Sequence, residues 1–73
     1  MPRLPAVSGR EVVAALRRAG FSVKSQKGSH VKLRRGDTVV VVPVHVSKGL
    51  KRPTVHAIIK DAGLTLEEFI ELL

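Results

Sequence analysis

The spacing of apolar and polar residues changes along the chain and predicts helices at both ends of a β region. The first helix is predicted over residues 9–19, because apolar residues recur there at three- and four-residue intervals: Val12, Val13, Leu16 and Ala19. Ser8 and Glu11 have the spacing of a capping box, and Gly20 suits the left-handed position that ends a helix. Residues 1–7 are interpreted as a lead-in.

Between residues 21 and 42 the period changes to two, which predicts three strands. Alternating residues mark residues 21–26 and 30–35 as the first two strands, and β-branched residues mark 38–42 as the third. Gly36-Asp37 is a two-residue hairpin signal. Pro43 ends the third strand, because proline cannot donate a hydrogen bond to a β-ladder.

The register of the second hairpin follows from its turn. With Gly36-Asp37 as the loop, Leu33 lies opposite Val40, and the valines on either side of this pair fall on the same face. The alternate residues of the two strands then face the other way. One face of this hairpin is therefore apolar.

The first hairpin has to continue the same apolar face. A two-residue loop would mix the two faces, so we expect a three-residue loop, Lys27-Gly28-Ser29. This loop places Val23 opposite Leu33 and Lys24 opposite Lys32. The predicted apolar face comprises Phe21, Val23, Val31, Leu33, Val40 and Val42, and the predicted polar face carries Lys24, Gln26, His30, Lys32 and Arg34.

Two helices are predicted after a basic connector over residues 43–52. Pro53 suits the first turn of the longer one, with Thr54 as an alternative cap. The apolar stripe of this helix is Val55, Ile58, Ile59 and Ala62. A capping box at Thr65 opens a short helix, 66–72, whose buried side is predicted to be Leu66, Phe69, Ile70 and Leu73. The order α-β-β-β-α-α predicts an α+β two-layer domain with the helices on one face of an antiparallel sheet.

The length of the chain indicates a single domain, and its charge indicates the kind of molecule that it binds. The 73 residues are expected to form one domain, 1–73, with a thin core. Residues 1–60 hold all 13 lysines and arginines but only Glu11 and Asp37, a net charge of +11, whereas residues 61–73 carry a net charge of −4. So dense a positive charge favours a nucleic acid as the binding partner.

Several classes of function are disfavoured by the composition. The chain has no cysteine, which excludes disulfides and thiolate zinc sites and is compatible with the cytoplasm. No signal peptide is apparent, and no apolar run is long enough to span a bilayer. No metal-ligand spacing is found, and no cofactor is expected. Both aromatic residues, Phe21 and Phe69, are interpreted as core, which disfavours base stacking.

Among the three histidines, His30 is the best candidate for chemistry. Histidine exchanges protons near neutral pH, and His30 begins a strand on the predicted polar face, after Gly28-Ser29 and near Lys32. His45 lies in the basic connector, where it is either a phosphate contact or an ordinary polar loop residue. His56 is interpreted as a surface residue of the penultimate helix.

The order and spacing of several short motifs make the chain resemble a HicA-type toxin, the mRNA interferase of a HicB–HicA toxin–antitoxin pair. The resemblance covers about residues 8–73. It rests on these segments: Ser8-Gly9-Arg10-Glu11-Val12 leading to Leu16, Ala19-Gly20-Phe21, Gln26-Lys27-Gly28-Ser29-His30, Val42-Pro43-Val44-His45, Thr54 with Ile58, Ile59 and Lys60, Ala62-Gly63-Leu64-Thr65 and Glu67-Glu68-Phe69. Pro53 departs from the family, which usually has glycine before the threonine that opens the long helix.

The resemblance implies a fold like that of double-stranded-RNA-binding domains and an endoribonuclease that needs no metal. It implies His30 as the catalytic residue, with the RNA bound by Lys24, Lys27, Gly28, Ser29, Lys32 and Arg34. The implied partners are mRNA and a HicB-like antitoxin, with operator DNA contacted, if at all, indirectly through the antitoxin complex. Two alternatives stay open: a non-catalytic RNA-binding module of the same fold, and an interaction protein without activity.

Overall fold

The computed structural model describes residues 3–44 and 49–73, in which three helices pack against a three-stranded antiparallel sheet. Along the chain the elements are α1 (Gly9–Arg18), β1 (Ser22–Lys27), β2 (His30–Arg35), β3 (Thr38–Pro43), α2 (Arg52–Asp61) and α3 (Leu66–Leu72). This is the α-β-β-β-α-α order that the sequence predicts. The strands lie in the order β1-β2-β3, so β2 is central.

The second hairpin has the predicted register. Leu33 pairs with Val40, and the two-residue loop Gly36-Asp37 connects β2 to β3. The inward-facing valines and Leu33 are buried, because the helices cover this face of the sheet: Val31, Leu33, Val40 and Val42. We call this covered side the inner face and the opposite side the outer face.

The first hairpin differs from its prediction. Its loop has two residues, Gly28-Ser29, and Lys27 therefore pairs with His30. A β-bulge then leaves Lys24 as the extra residue between Val23 and Ser25, and Ser25 takes the place opposite Lys32. The predicted three-residue loop and the pairing of Lys24 with Lys32 were wrong. The register needs one extra residue, and the protein accommodates it in the strand rather than in the turn.

The two-residue loop also changes which residues face the helices. Gln26 pairs with Val31 and so lies on the inner face, not on the polar face as predicted. Val23 pairs with Leu33 on the inner face but remains 45% exposed. The helices pack chiefly against β3 rather than β1, which leaves this valine partly uncovered.

The core lies between the inner face and the helices and includes the segment before α1. Leu4 and Val7 are buried, although the sequence suggests only a lead-in. The backbone N–H of Leu50 donates to the carbonyl of Val7 at 2.9 Å, and Ser8 forms a β-bridge with Gly49. The N-terminal segment is therefore held against the chain that leads into α2.

Both predicted capping boxes are present. In α1, the backbone N–H of Glu11 donates to the Ser8 hydroxyl at 3.2 Å, and the carboxylate of Glu11 accepts from the Ser8 N–H at 3.0 Å. Thr65 and Glu68 form the same pair of bonds at the start of α3. These reciprocal bonds satisfy backbone donors that a helix leaves free at its first turn, so the two helices begin where the sequence predicts.

The last two helices follow the prediction with two corrections. Pro53 lies in the first turn of α2, as predicted, but the N-cap is Lys51, which makes no side-chain capping bond, and not Thr54. In α3, Phe69 is fully buried, whereas Leu73 is 41% exposed and Leu72 packs against the core instead. Within the described residues, each helix is too short or too polar to cross a membrane.

Candidate active site

The outer face carries the cations and the candidate histidine. Side chains alternate along a strand, so residues that pair directly lie on the same face. The pairings place these residues on the outer face: Lys27 of β1; His30, Lys32 and Arg34 of β2; and Val39 and Val41 of β3. All of them are exposed. The outer face is therefore an open surface with a cationic row along the central strand.

His30 is the first residue of the central strand and lies between two paired residues. Lys27 is opposite it on β1 and Pro43 is opposite it on β3. The Cα atoms of directly paired residues are roughly 4.5–5.5 Å apart, so Lys27 is the cation that the register brings nearest to His30. The predicted three-residue loop put Lys27 in the turn, so Lys32 was the cation expected near His30; Lys32 is still on the same face, two residues along β2.

The turn before His30 is fixed from two sides. Gly28 has a φ of 60°, a conformation that favours glycine. The side-chain amide of Gln26 donates to the carbonyl of Gly28 at 3.2 Å. On the other side, the backbone N–H of Val44 donates to the carbonyl of Ser29 at 2.5 Å. These bonds hold the backbone that leads directly into His30.

Close packing at Gly9 supports the turn that precedes His30. A Cβ atom on Gly9 would lie 2.3 Å from the carbonyl oxygen of Pro43 and 2.9 Å from the Cα of Val44. Only glycine lets the start of α1 approach the end of β3 so closely. Since Val44 also bonds to Ser29, the start of α1 is packed against the same segment that fixes the turn of the candidate site.

The cations predicted to bind RNA do not all have equivalent surroundings. Lys27 and Lys32 are exposed on the outer face, and Lys24 is exposed at the bulge. The Nε of Arg34 donates to the carbonyl of Gly36 at 2.6 Å, which uses one of the five N–H groups of its guanidinium. Arg34 therefore holds the second turn while part of its guanidinium stays free for a phosphate.

Arg35, although it adjoins this row in sequence, has a structural role. It lies over the ring of Phe21 at 4.7 Å from the centroid, and its Nη1 donates to the carbonyl of Ala19 at 2.8 Å. These contacts fix Arg35 against the end of α1. A run of basic residues in a strand thus divides between the two faces, with only alternate residues available to a ligand.

Of the other two histidines, His56 is among the described residues and does not join the candidate site. His45 lies outside the described residues. His56 is exposed on α2, a helix that packs on the inner face of the sheet, whereas His30 is on the outer face. No three His, Asp or Glu side chains in residues 3–44 and 49–73 lie close enough together to hold a metal ion.

Two residues that shape the site, Gln26 and Gly9, were not predicted from the sequence. Gln26 was assigned to the polar face, whereas the two-residue loop places it on the inner face, where its side-chain amide bonds to the turn. Gly9 was interpreted only as the first residue of a helix. The signal for Gly9 is weak but present, because glycine is a poor helix former and its position inside a capping box calls for a packing reason.

A family model for the HicA toxin of bacterial toxin–antitoxin systems matches residues 9–64 of this chain. The match begins at the first residue of α1, continues past the end of α2 and includes every residue of the candidate site. The chain therefore belongs to the HicA toxin family, and its α+β architecture is the fold resembling double-stranded-RNA-binding domains that this family implies. At the level of whole sequences, no curated protein matches it.

Proposed function

We propose that this protein is the toxin of a toxin–antitoxin pair and acts as an mRNA interferase, a cytoplasmic endoribonuclease that arrests translation. Its inhibitor would be a HicB-like antitoxin. Membership of the HicA toxin family supports the class of protein. The observation that carries the proposed chemistry is the position of His30, exposed on the outer face at the end of a cationic row.

In the proposed mechanism, the nucleophile is the 2′-hydroxyl beside the scissile phosphate. His30 takes the proton of this hydroxyl, a role worth roughly 10²–10⁴-fold in rate for a well-placed general base. The 2′-oxygen then forms a bond to phosphorus while the bond from phosphorus to the 5′-oxygen breaks. The departing 5′-oxygen receives a proton either from His30 or from water. No step requires a metal ion.

The cations around His30 would hold the phosphates. Lys27 lies opposite His30, and Lys32 follows it on the same face of β2. Residues two apart on a strand are about 6.6 Å apart, so one flexible strand of RNA can touch His30 and both lysines. Lys24 and Arg34 extend the surface, and the backbone N–H groups around Gly28 and Ser29 offer further donors. Fixed positive charge also offsets the negative charge that develops at phosphorus.

The same surface favours contact with the RNA backbone over recognition of the bases. Both phenylalanines are buried, Phe21 at 3% and Phe69 at 0% exposure. The chain has no tryptophan or tyrosine, so no phenylalanine, tyrosine or tryptophan ring is available for a base to stack on. Lysine and arginine side chains instead offer charge to phosphates, which positions a strand without reading its sequence.

The decisive experiment compares the wild type with His30→Ala in a cleavage assay on single-stranded RNA in the presence of EDTA. His30→Ala is expected to lose cleavage by at least about 10²-fold while retaining RNA binding, because the cations remain. His56→Ala is the matched control, since it removes another exposed histidine from α2 and should cut normally. Cleavage by His30→Ala at the wild-type rate would disprove the assignment.

One observation favours a second candidate, a non-catalytic RNA-binding module. Among the described strand residues of the outer face, His30 is the only histidine and no carboxylate accompanies it, so no second histidine or carboxylate is at hand as an acid or base. The same assay separates the two candidates. A wild-type protein that binds single-stranded RNA but never cuts it, and whose expression without the neighbouring gene leaves growth unaffected, would favour the binding module.

A further inference from the structure

Two exposed valines lie beside the cations of the outer face. Val39 is 43% exposed and Val41 is 49% exposed, whereas Val40 between them is 2% exposed. Val39 pairs with Arg34, and Val41 pairs with Lys32. The outer face therefore carries an apolar row on β3, which we call the valine row, directly beside the cationic row on β2.

The fold does not require the valine row. The core is built from the inner face, and threonine at these positions would preserve the preference of β-branched residues for strands without exposing as much apolar surface. RNA has little use for the row either, because an aliphatic side chain offers neither charge for a phosphate nor an aromatic ring for a base. Apolar surface with charged neighbours is typical of protein–protein interfaces.

A second copy of this chain is disfavoured as the occupant of the valine row. Each copy carries a formal net charge of +7, and the row adjoins Lys32 and Arg34. Two such faces brought together would place their cations near one another and repel. The surface calls for a partner with apolar side chains flanked by carboxylates.

We propose that the valine row is the apolar centre of the antitoxin docking surface, with Lys32 and Arg34 as its charged border. This inference rests on the proposed function for the identity of the partner. Neighbouring strands lie about 4.8 Å apart, so a protein seated on Val39 and Val41 also covers the row that contains His30. Docking would therefore block RNA from the face without a direct contact to the catalytic side chain.

This arrangement makes neutralisation separable from catalysis. Antitoxin and RNA would share the cations, but only the antitoxin would use the valines. The double variant Val39→Thr/Val41→Thr keeps side-chain shape and strand preference while it makes the row polar. We expect its affinity for the purified protein encoded by the neighbouring gene to fall by about tenfold or more, as truncation at the centre of an interface does. RNA cleavage should stay within about twofold of the wild type, because the cations that bind phosphates are unchanged.

Val23→Thr is the matched control. Val23 is 45% exposed, as much as the valines of the row, but lies on the inner face of the opposite edge strand. Its replacement should alter neither antitoxin binding nor RNA cleavage. Circular dichroism and thermal unfolding of each variant confirm the fold before binding is measured. If the double variant does not fold, Val39→Thr and Val41→Thr are tested singly, and each should weaken binding of the antitoxin.

Three outcomes would overturn the inference. Unchanged antitoxin binding by the folded valine variants would show that the row lies outside the interface. An equal loss of antitoxin binding and RNA cleavage would assign the row to the RNA. Self-association of the wild type in sedimentation, lost in the variants, would assign it to a second copy. A wild type that cuts no RNA yet binds the antitoxin through the valine row would instead refute only the proposed enzymatic function.

Discussion

The two hairpin turns of the sheet are built alike. Each is a two-residue loop that begins with a glycine of positive φ, 60° at Gly28 and 58° at Gly36. In each, a side chain two residues before the glycine donates to the glycine carbonyl: Gln26 in the first turn and Arg34 in the second. Judged by local conformation alone, the turns would be interchangeable.

They differ in their connection to the rest of the molecule. Within residues 3–44 and 49–73, the first turn alone has a backbone hydrogen bond to the segment that follows β3, from the Val44 N–H to the Ser29 carbonyl, and Val44 packs against Gly9. The strand that precedes the first turn, β1, contains a β-bulge, whereas the two strands joined by the second turn pair without interruption. The first turn immediately precedes His30. The contrast suggests that a tertiary bond to the backbone of the turn fixes the turn that positions the candidate catalytic residue, whereas at the second turn the tertiary contacts are those of the side chain of Arg35, the residue before it.

The largest effect is expected where tertiary support of the first turn is removed. Gly9→Ala would place a Cβ 2.3 Å from the Pro43 carbonyl, a backbone atom that cannot move without shifting the end of β3. We expect a loss of about 3 kcal/mol in the free energy of unfolding, at the upper end for overpacking. Urea denaturation measures this loss, and RNA cleavage by the folded fraction should fall as well because Val44 shifts.

Gly49→Ala is the control for this substitution. Its added Cβ would lie 3.4 Å from the Val7 carbonyl, and Gly49 is exposed. The free energy of unfolding should change by less than about 0.5 kcal/mol. If Gly9→Ala proved as stable as the wild type, α1 would not be held against the end of β3, and the proposed support of the first turn would be absent.

The next prediction compares the two turns directly. Gly28→Ala and Gly36→Ala each force alanine into the left-handed region, and neither added Cβ meets an atom within 4 Å. The two variants should therefore lose similar stability, roughly 1–2 kcal/mol each. Only Gly28→Ala should also reduce RNA cleavage, because its turn leads into His30. Thermal unfolding and the cleavage assay are measured on both variants under conditions where each is folded.

Equal cleavage by Gly28→Ala and Gly36→Ala would contradict the proposed difference between the two turns. It would mean either that His30 tolerates a changed turn or that neither turn positions the catalytic group. Reduced cleavage by Gly36→Ala alone would shift attention to Arg34, whose bond to the Gly36 carbonyl would then be the contact that matters.

The sequence predicted what local chemistry controls. The second hairpin was predicted correctly, because Gly36-Asp37 fixes the turn and the alternation of valines fixes the register. Both capping boxes were predicted, since each depends on residues three positions apart. His30 was predicted on the outer face, and the pairing with Pro43 confirms that position.

The sequence failed where distant segments determine the local structure. The bulge at Lys24 lets one strand keep both a tight turn and a continuous inner face, and alternation alone cannot tell an extra residue in the strand from one in the loop. Leu4 is buried by segments that are distant in sequence, and Gly9 has no room for a side chain because Pro43 and Val44 lie against it. Arg34 and Arg35 likewise differ in role because they lie on opposite faces of the sheet: Arg34 is exposed on the outer face, and Arg35 contacts Ala19 and Phe21.

The smallest effect is expected at Glu68, which is linked to the end of β2 that precedes the second turn. Hydrogen bonds from Thr65, first its backbone N–H and then its hydroxyl, and the charge of Arg35 hold the pKa of this carboxyl below its ordinary value. A lowered pKa in the folded state means that the unfolded state binds the proton more tightly. The contribution to stability is therefore complete above the unfolded value, about 4.3, and is lost as the pH falls through the folded pKa.

Glu68→Gln isolates this charge, because glutamine can also complete a capping box. The wild type should be slightly more stable than the variant at neutral pH, and the difference should vanish in acid, as measured by thermal unfolding across pH 7 to about pH 3. RNA cleavage at neutral pH should be the same in both, since Glu68 is in α3 and its charged neighbour, Arg35, lies beside the second turn and not the first. A difference in stability that persisted in acid would mean that the amide fails as a cap. A loss of cleavage would mean that α3 influences the turn before His30, so that the two turns are less independent than their contacts indicate.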